Sequence, residues 1–228
     1  MSVPKCLVLI PDGNRTYALM QGLPALLGHT MGKQNARRVI RAAFDFGVQN
    51  VVFWAASELN LQKREPAEIG HLCCLLKEEL RRRLCEPEEV RFRLIGPWQR
   101  FCPDEELAGL AATLAEKTVE YEQRQLTILF GYSGRTEMIE AVCSLNRAGE
   151  QVTEDSLRNR LWTGYLPDVD LVIRTGVKGN PHLSDCLLMW QMRNPELYFS
   201  EVGWPNFGPD RLTLALKDFG ARSRKLGT

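Results

Sequence analysis

The chain has 228 residues, of which 44% are hydrophobic and 25% are charged, and its formal net charge at pH 7 is +1. This composition is typical of a globular protein with a substantial core, and the balanced charge argues against nucleic acid as a partner. No apolar run approaches the roughly 20 residues of a membrane span and the first residues lack a signal-peptide pattern, so we expect a cytoplasmic protein without stable membrane insertion.

The seven cysteines are an odd number and include no C-x-x-C pair. Most of them fall within helical or strand-like patterns, which predicts reduced, small core residues. The three histidines are scattered along the chain, so a zinc site is not expected.

Strand-like and helical patterns alternate along the chain. The predicted strands are Lys5–Ile10, Asn50–Ala56, Val90–Gly96, Gln125–Gly131, Asp170–Thr175 and Leu197–Val202. The predicted helices are Met31–Phe46, Ala67–Leu84, Glu105–Glu122, Thr136–Arg147 and Asp210–Arg224, and the segment Thr153-Glu154-Asp155 resembles a further helix start. This alternation predicts an α/β fold with a parallel sheet covered on both faces. Without an internal repeat or a linker, residues 1–228 are expected to form a single domain.

The first strand ends in a turn that is suited to binding phosphate. Four apolar residues precede Pro11, and the turn-forming residues Asp12, Gly13 and Asn14 follow, with Arg15 next. Gly13 allows the backbone to approach a ligand closely, and a carboxylate beside an arginine suits a magnesium-bound phosphate. The alternative is an ordinary strand-to-helix turn in which Asp12 caps the helix.

Polar segments follow four of the predicted strands. They are Asp12-Gly13-Asn14-Arg15, Ser57-Glu58-Leu59-Asn60, Tyr132-Ser133-Gly134-Arg135 and Arg174-Thr175-Gly176. Ligands of open α/β sheets bind outside the carboxyl ends of the strands, so these segments can converge on one cleft. Their arginines and glycines favour an anionic ligand.

Taken in this order, the segments resemble those of the cis-prenyltransferase family, whose best-known member is undecaprenyl diphosphate synthase. The resemblance extends over nearly the whole chain and is most specific in its last third. It is carried by Asp12-Gly13-Asn14-Arg15, Gly28-His29-x-x-Gly32, Ser57-x-x-Asn60, Gly131-Tyr132-Ser133-Gly134-Arg135, Val169–Gly176, Ser184, Trp190-Gln191, Glu196-Leu197-Tyr198-Phe199 and Trp204-Pro205-Asn206-Phe207.

The resemblance implies a homodimer, a parallel sheet of about six strands and a hydrophobic tunnel. It implies that Asp12 binds Mg²⁺ and that Glu196, from the same subunit or from its partner, completes the metal site. The loop of Gly13, Asn14 and Arg15 would bind the allylic diphosphate, and Arg174 and Ser184 the second diphosphate. Ser57 and Asn60 are candidates for positioning the acceptor's alkene, and His29 for exchanging a proton or binding phosphate, although a purely structural His29 is an equal alternative. The segment 224–227 corresponds to a family tail that crosses the dimer.

Several positions depart from the family pattern. The family has an arginine at the positions of Thr16, Ala25 and His182 and a tryptophan at the positions of Tyr17 and Leu61. Lys178 is a further possible cation near the last of these positions. We therefore count Tyr17, Leu61, Lys178 and His182 among the candidate substrate-binding residues.

These departures predict a diphosphate site with fewer cations, similar to the irregular, lavandulyl-type branch of the family. That branch joins two allylic diphosphates head to middle, which would give a product of 10 or 15 carbons. The alternatives are regular elongation with isopentenyl diphosphate to a short or medium polyprenyl diphosphate, and a catalytically silent partner subunit.

Overall fold

The computed structural model describes residues 2–179, 181–183 and 187–223. Six strands alternate with eight helices in this part of the chain. The strands are β1 (Cys6–Ile10), β2 (Asn50–Ser57), β3 (Arg91–Ile95), β4 (Gln125–Tyr132), β5 (Leu171–Arg174) and β6 (Glu196–Phe199). The helices are α1 (Asn14–Met20), α2 (Ala25–Phe46), α3 (Glu58–Lys63), α4 (Pro66–Cys85), α5 (Glu105–Lys117), α6 (Gly134–Ala148), α7 (Glu154–Arg160) and α8 (Pro209–Ala221).

The six strands form one sheet in the order β3-β4-β2-β1-β5-β6, and every neighbouring pair is parallel. The predicted α/β fold and all six predicted strands are therefore confirmed, with ends that differ from prediction by at most three residues. Strands β2, β3 and β4 lie on one side of β1 within the sheet, and β5 and β6 lie on its other side. The carboxyl ends of β1 and β5 therefore border the crevice where such sheets bind ligands.

Strand β1 shows why the central strands read as continuous apolar runs. Leu7 and Leu9 pack into the core on one face of the sheet, whereas Cys6, Val8 and Ile10 pack into the core on the other face. Successive side chains of a strand point to opposite faces, so a strand covered on both sides needs apolar residues at every position.

The helices differ from prediction mainly at their ends. Helix α2 begins at Ala25, six residues before the predicted start, because the apolar segment after Pro24 is already its first turn. Helix α5 ends at Lys117 rather than at Glu122. A helix was expected directly after the turn at Asp12, and α1 is that helix, but neither α1 nor α3 was given a predicted range, since seven and six residues are too few for a clear helical period. Ser184 and the tail segment 224–227 lie outside the described residues.

The expectation that the cysteines are reduced is wrong for one pair. Cys73 on α4 and Cys102 before α5 form a disulfide with a Cα–Cα distance of 5.8 Å. The two residues are 29 positions apart, so only the packing of α4 against the segment before α5 brings them together. Cys74, Cys85 and Cys143 are exposed rather than part of the core.

Within the described residues, every helix is too short or too polar to cross a membrane.

Candidate active site

A cleft of about 970 Å³ lies at the carboxyl ends of β1, β2, β4 and β5. All four polar segments identified in the sequence contribute to its wall, as predicted. Its lining includes Asp12–Thr16, Ser57–Asn60, Arg64, Ser133, Arg135, Arg174 and Gly176. The order of the strands brings these segments together, since each directly follows a strand of the same parallel sheet.

Asp12 and Arg174 form an ion pair at the crevice between β1 and β5. Arg174 Nε and Nη2 lie 2.9 Å and 2.8 Å from Asp12 Oδ2, and Nη1 donates to the His182 carbonyl oxygen at 2.6 Å. Arg174 is buried, whereas the Asp12 side chain is 46% exposed. The carboxylate therefore faces the cleft while its partner is held in the wall. Gly13, not Asp12, is the N-cap of α1, so the helix-capping alternative for Asp12 is wrong.

The loop after β1 is held by close backbone packing at three glycines. Gly13 has φ +95°, and a Cβ atom at this position would lie 2.8 Å from Gly203 Cα and 3.4 Å from Gly176 Cα. The Asp12 carbonyl oxygen accepts hydrogen bonds from the Trp204 amide and the Thr175 hydroxyl, both at 2.8 Å. These contacts fix the backbone beside the Asp12 carboxylate.

Asn14 connects this loop to α2. Its Nδ2 donates to the Pro11 carbonyl oxygen at 3.0 Å, and its Oδ1 is buried without a hydrogen-bond partner among the described residues. A Cβ on Gly32 would lie 2.3 Å from Asn14 Oδ1, and a Cβ on Gly28 would lie 2.1 Å from the Asn14 carbonyl oxygen. The two glycines four residues apart on α2 thus make room for the loop.

His29 belongs to a charged cluster at the border of the cleft. Its Nε2 lies 2.8 Å from Glu68 Oε1, and Arg64 and Arg15 pair with Glu68 at 3.3 Å and 3.5 Å. Burial lowers the pKa of His29, although the hydrogen bond with Glu68 acts in the opposite direction. Burial acts to raise the pKa of Glu68, yet His29, Arg64 and Arg15 together hold it below its usual value. His29 is therefore a mainly neutral imidazole, one turn inside α2 and not at a helix start.

Two cleft-lining arginines were not among the predicted site residues. Arg64 follows α3, and its Nη1 atom is buried with no hydrogen-bond partner in the described part of the chain. Arg135 is exposed in the first turn of α6. A signal for Arg135 was present, because it ends one of the four polar segments, whereas Arg64 lies four residues beyond the segment Ser57–Asn60. The cleft is therefore lined by the four arginines Arg15, Arg64, Arg135 and Arg174, and the expectation that it holds fewer cations than other members of the family stays a prediction.

Ser57 and Asn60 both line the cleft but differ in their freedom to act on a ligand. The Ser57 hydroxyl is buried and accepts a hydrogen bond from the Asn60 amide at 3.1 Å, so it caps α3. The Asn60 side chain is exposed in the cleft. A positioning role is therefore open to Asn60 directly, and to Ser57 mainly through the shape of α3.

Four predicted substrate-binding residues do not present their side chains to the cleft. Leu61 is 1% exposed and packs in the core, so it does not open room beside the site. Tyr17 and Lys178 do not line the cleft, because Tyr17 follows the cleft-facing Arg15 and Thr16 on α1 and Lys178 lies in an exposed loop. His182 reaches Arg174 through its main-chain carbonyl, and its ring does not line the cleft.

A second, apolar pocket of about 100 Å³ adjoins the cleft. The two cavities share Pro11, Asn14, His29 and Ala55. The pocket continues between α2, α4 and the sheet, where its lining includes Ala36, Ile40, Phe53, Leu72, Leu76, Ile128 and Phe130. This arrangement suits a ligand with an anionic head and a hydrocarbon tail, and it corresponds to the predicted hydrophobic tunnel.

The family model "Putative undecaprenyl diphosphate synthase" matches residues 10–227. The chain belongs to the cis-prenyltransferase family. The isoprenyl transferase of Deinococcus radiodurans is 37% identical over an alignment of 240 positions, which covers 99% of this chain and 85% of the relative. The ditrans,polycis-undecaprenyl-diphosphate synthase ((2E,6E)-farnesyl-diphosphate specific) of Pseudomonas syringae pv. tomato is 36% identical, with 99% and 91% coverage.

The fold of this cis-prenyltransferase is also that of a solved plant enzyme. Lavandulyl diphosphate synthase from Lavandula x intermedia, in complex with dimethylallyl diphosphate, superposes with a TM-score of 0.89 at 26% identity, and the match covers 99% of both chains. The similarity supports the assignment of fold and of general reaction class, the transfer of prenyl groups.

The predicted metal residues are not brought together within one chain. Asp12 follows the carboxyl end of β1, whereas Glu196 begins β6 beside Leu171 and pairs with Arg222 at 2.8 Å. Leu171 and Arg174 are three residues apart on β5, so Glu196 lies about 10 Å or more from the Asp12 end of the sheet. Glu196 as a ligand in the same subunit is therefore wrong, and a contribution from a partner subunit stays a prediction. Among the described residues, no group of three or more His, Cys, Asp or Glu side chains could hold a metal ion.

Proposed function

We propose that this cis-prenyltransferase elongates an allylic diphosphate with isopentenyl diphosphate, by regular cis addition, to a short or medium polyprenyl diphosphate. The observation that carries the proposal is that the cation-lined cleft and the apolar pocket lie side by side and share four lining residues. A prenyl diphosphate has both the anionic head and the hydrocarbon tail that these two cavities accommodate.

We place the diphosphates among the arginines of the cleft. Arg15, Arg64, Arg135 and Arg174 all line it, and guanidinium groups bind phosphate oxygens with two directed hydrogen bonds. The buried, unpartnered Nη1 of Arg64 supports a role in holding an anion, because such a donor gains most from a ligand oxygen.

The residues present also suit the Mg²⁺ ion that we expect the reaction to need. Asp12 offers an exposed carboxylate at the same crevice, and Mg²⁺ in phosphate sites is commonly held by one or two carboxylates together with the substrate's phosphates and water. When bound, the ion would stabilise the negative charge that develops on the departing diphosphate. Arg174 would orient Asp12 and, through its guanidinium, contribute positive charge to the same side of the cleft.

The chain's own groups then account for the remaining requirements of the reaction. The N–H donors of the cleft arginines stabilise charge on the leaving diphosphate, and the apolar pocket keeps water from the allylic cation. The acceptor's alkene attacks that cation, and the resulting carbocation loses a proton. Asn60, with its exposed side chain in the cleft, is our candidate for positioning the acceptor, and neutral His29 is a candidate for accepting a proton or binding phosphate.

Two observations favour regular elongation over irregular coupling. Four arginines line the cleft even without the cations that are missing at other positions, so a diphosphate could still be held there by several guanidinium groups. The relatives from Deinococcus radiodurans and Pseudomonas syringae pv. tomato carry the names of an isoprenyl transferase and an undecaprenyl diphosphate synthase.

Irregular head-to-middle coupling is the second candidate. It is favoured by the structural similarity to lavandulyl diphosphate synthase, with a TM-score of 0.89. In this reaction a second allylic diphosphate, rather than isopentenyl diphosphate, would supply the attacking double bond.

Product analysis distinguishes the two. The purified protein is incubated with Mg²⁺ and with dimethylallyl, geranyl, farnesyl and isopentenyl diphosphates, singly and in pairs, and the released alcohols are identified by mass spectrometry. We expect products only when isopentenyl diphosphate is present, as a linear cis series. Branched products from allylic substrates alone would establish the irregular reaction, and no product from any pair would contradict both and favour a silent partner subunit.

A further inference from the structure

The deep end of the apolar pocket contains charged side chains. Helix α2 leaves the cleft at His29 and passes Ala36 before it reaches Arg37, while α4 passes Leu72 and Leu76 before it reaches Glu79 and Arg83. Glu79 and Arg83 are both 7% exposed, although they line a cavity that is otherwise mainly apolar. Such buried charges are retained only when they are well paired.

Glu79 is the centre of this buried group. Its Oε2 accepts from Arg37 Nε at 2.7 Å, and its Oε1 accepts from Arg82 Nη2 at 2.8 Å. Arg83 Nε lies 2.9 Å from Oε1 as an ion pair, without hydrogen-bond alignment. Burial acts to raise the pKa of Glu79, but the three guanidinium groups hold it below its usual value, so it is ionised.

We propose that this ion cluster of Arg37, Glu79 and Arg83 is the floor of the prenyl pocket and sets the maximum length of the product. This rests on the proposed function, because the growing chain is taken to enter the pocket from the cleft. A chain that reached the floor would have to displace paired charges from their partners, and separating a buried ion pair is strongly unfavourable. An apolar chain end has no charged or hydrogen-bonding group that could replace the lost ion pairs.

The geometry limits the product to a short chain. His29 and Arg37 are eight residues apart on α2, or about 12 Å along the helix axis. An extended isoprene unit adds four carbon–carbon bonds of roughly 1.5 Å, or about 5 Å of length, so two to three units reach the floor. The ligand-free volume of about 100 Å³ holds about one such unit, since an apolar cavity of roughly 150 Å³ holds benzene. With one more unit in the cleft, and with α2 and α4 separating slightly, the expected product has about 15 to 20 carbons.

A paired substitution tests the floor. Glu79→Ala/Arg83→Ala removes one charge of each sign, while Arg37 is partly exposed and Arg82 keeps Glu86 and Glu88 as partners. We expect the product distribution to move to longer chains by one or more isoprene units. The matched control is Arg41→Ala/Asp45→Ala, an ion pair on the exposed face of α2 with side chains 85% and 60% exposed, which should leave the distribution unchanged. If the alanine pair does not fold, Glu79→Met/Arg83→Met keeps the side-chain volume with flexible apolar groups and should lengthen the products in the same way.

A binding measurement on the unchanged protein completes the test. Calorimetry with geranyl, farnesyl, geranylgeranyl and hexaprenyl diphosphates, without isopentenyl diphosphate, should show affinity rising to farnesyl or geranylgeranyl and falling about tenfold or more for hexaprenyl diphosphate. Hexaprenyl binding as tight as farnesyl binding, or an unchanged product length in a folded floor variant, would overturn the proposal. Prenyl transfer would still proceed in either case, so a failure of the floor is distinguishable from a failure of the proposed function.

Discussion

At the scale of single residues, the ion pair of Asp12 and Arg174 joins the two strands on either side of the binding crevice. The buried arginine fixes the exposed carboxylate from the β5 side, and the close packing of Gly13 against Gly176 and Gly203 fixes its backbone. Asp12 is therefore positioned before any ligand binds, which is the usual requirement for stabilising developing charge.

The first prediction concerns this carboxylate. Asp12→Asn keeps the side-chain size and an oxygen acceptor for Arg174 but removes the charge that would hold Mg²⁺. We expect turnover to fall on the order of 100-fold or more while the melting temperature changes little. Steady-state kinetics over a Mg²⁺ titration, beside thermal melting, provides the measurement. If the Asp12→Asn protein, after treatment with EDTA, turned over substrate at close to the wild-type rate, both the role of Asp12 and the need for the metal would be contradicted.

The second prediction concerns Arg64. Arg64→Gln removes a cation from the cleft, and a lost charge-assisted hydrogen bond costs roughly 1.5–3 kcal/mol. The KM for a diphosphate substrate should therefore rise by about tenfold to a hundredfold. Lys63→Gln is the control, because Lys63 is the preceding cation and does not line the cleft. Equal effects of the two substitutions would indicate a general charge effect rather than a bound phosphate.

At the scale of elements, the position of the diphosphate loop depends on how closely α1 approaches α2. Gly28 and Gly32 on α2 leave the space that Asn14 occupies, and the Trp204 indole donates to the Gly32 carbonyl at 2.8 Å. Side chains at either glycine would move the loop that carries Asp12 away from α2.

The third prediction uses two glycines of different surroundings. Gly28→Ala places a Cβ against the Asn14 backbone, which cannot relieve the clash by a side-chain rotation. We therefore expect the free energy of unfolding to fall by about 1–3 kcal/mol and activity to be lost. Gly70→Ala on α4 meets no atom within 4 Å and should raise stability by about 0.5–1 kcal/mol through helix propensity alone. Urea unfolding curves measure both. A Gly28→Ala protein as stable and active as wild type would show that the loop does not need this contact.

At the scale of the whole molecule, the remaining question is how many subunits complete one site. The family resemblance predicts a homodimer, and Glu196 lies too far from Asp12 to share a metal ion with it in the same chain. A site that used both carboxylates would need them from different subunits.

The fourth prediction is that two inactive variants restore activity when they are combined. Asp12→Asn and Glu196→Gln should each be inactive, and light scattering should give twice the mass of one chain for both. If the sites are shared, a mixed dimer has one intact site, so a random mixture should recover about a quarter of wild-type turnover. A Glu196→Gln protein that is fully active would instead assign Glu196 to the ion pair with Arg222 alone, and a monomer would refute the shared site.

Much of the fold and part of the site could be predicted from the sequence by itself. Apolar runs such as Leu7–Ile10 are strands buried on both faces, and their alternation with helices determines a parallel sheet. Because carboxyl ends of parallel strands meet at one edge, the convergence of the four polar segments followed from their order alone. The motifs of the last third similarly identified the family.

Only the tertiary structure decided what individual side chains do. Leu61 lies in the core and Ser57 caps α3, although both belong to a segment that lines the cleft, because the direction of a side chain depends on how its element packs. Arg64 faces the cleft for the same reason. The disulfide of Cys73 and Cys102 and the buried cluster around Glu79 join separate elements. No local pattern encodes such contacts, since they depend on distances between elements that exist only after the helices pack on the sheet.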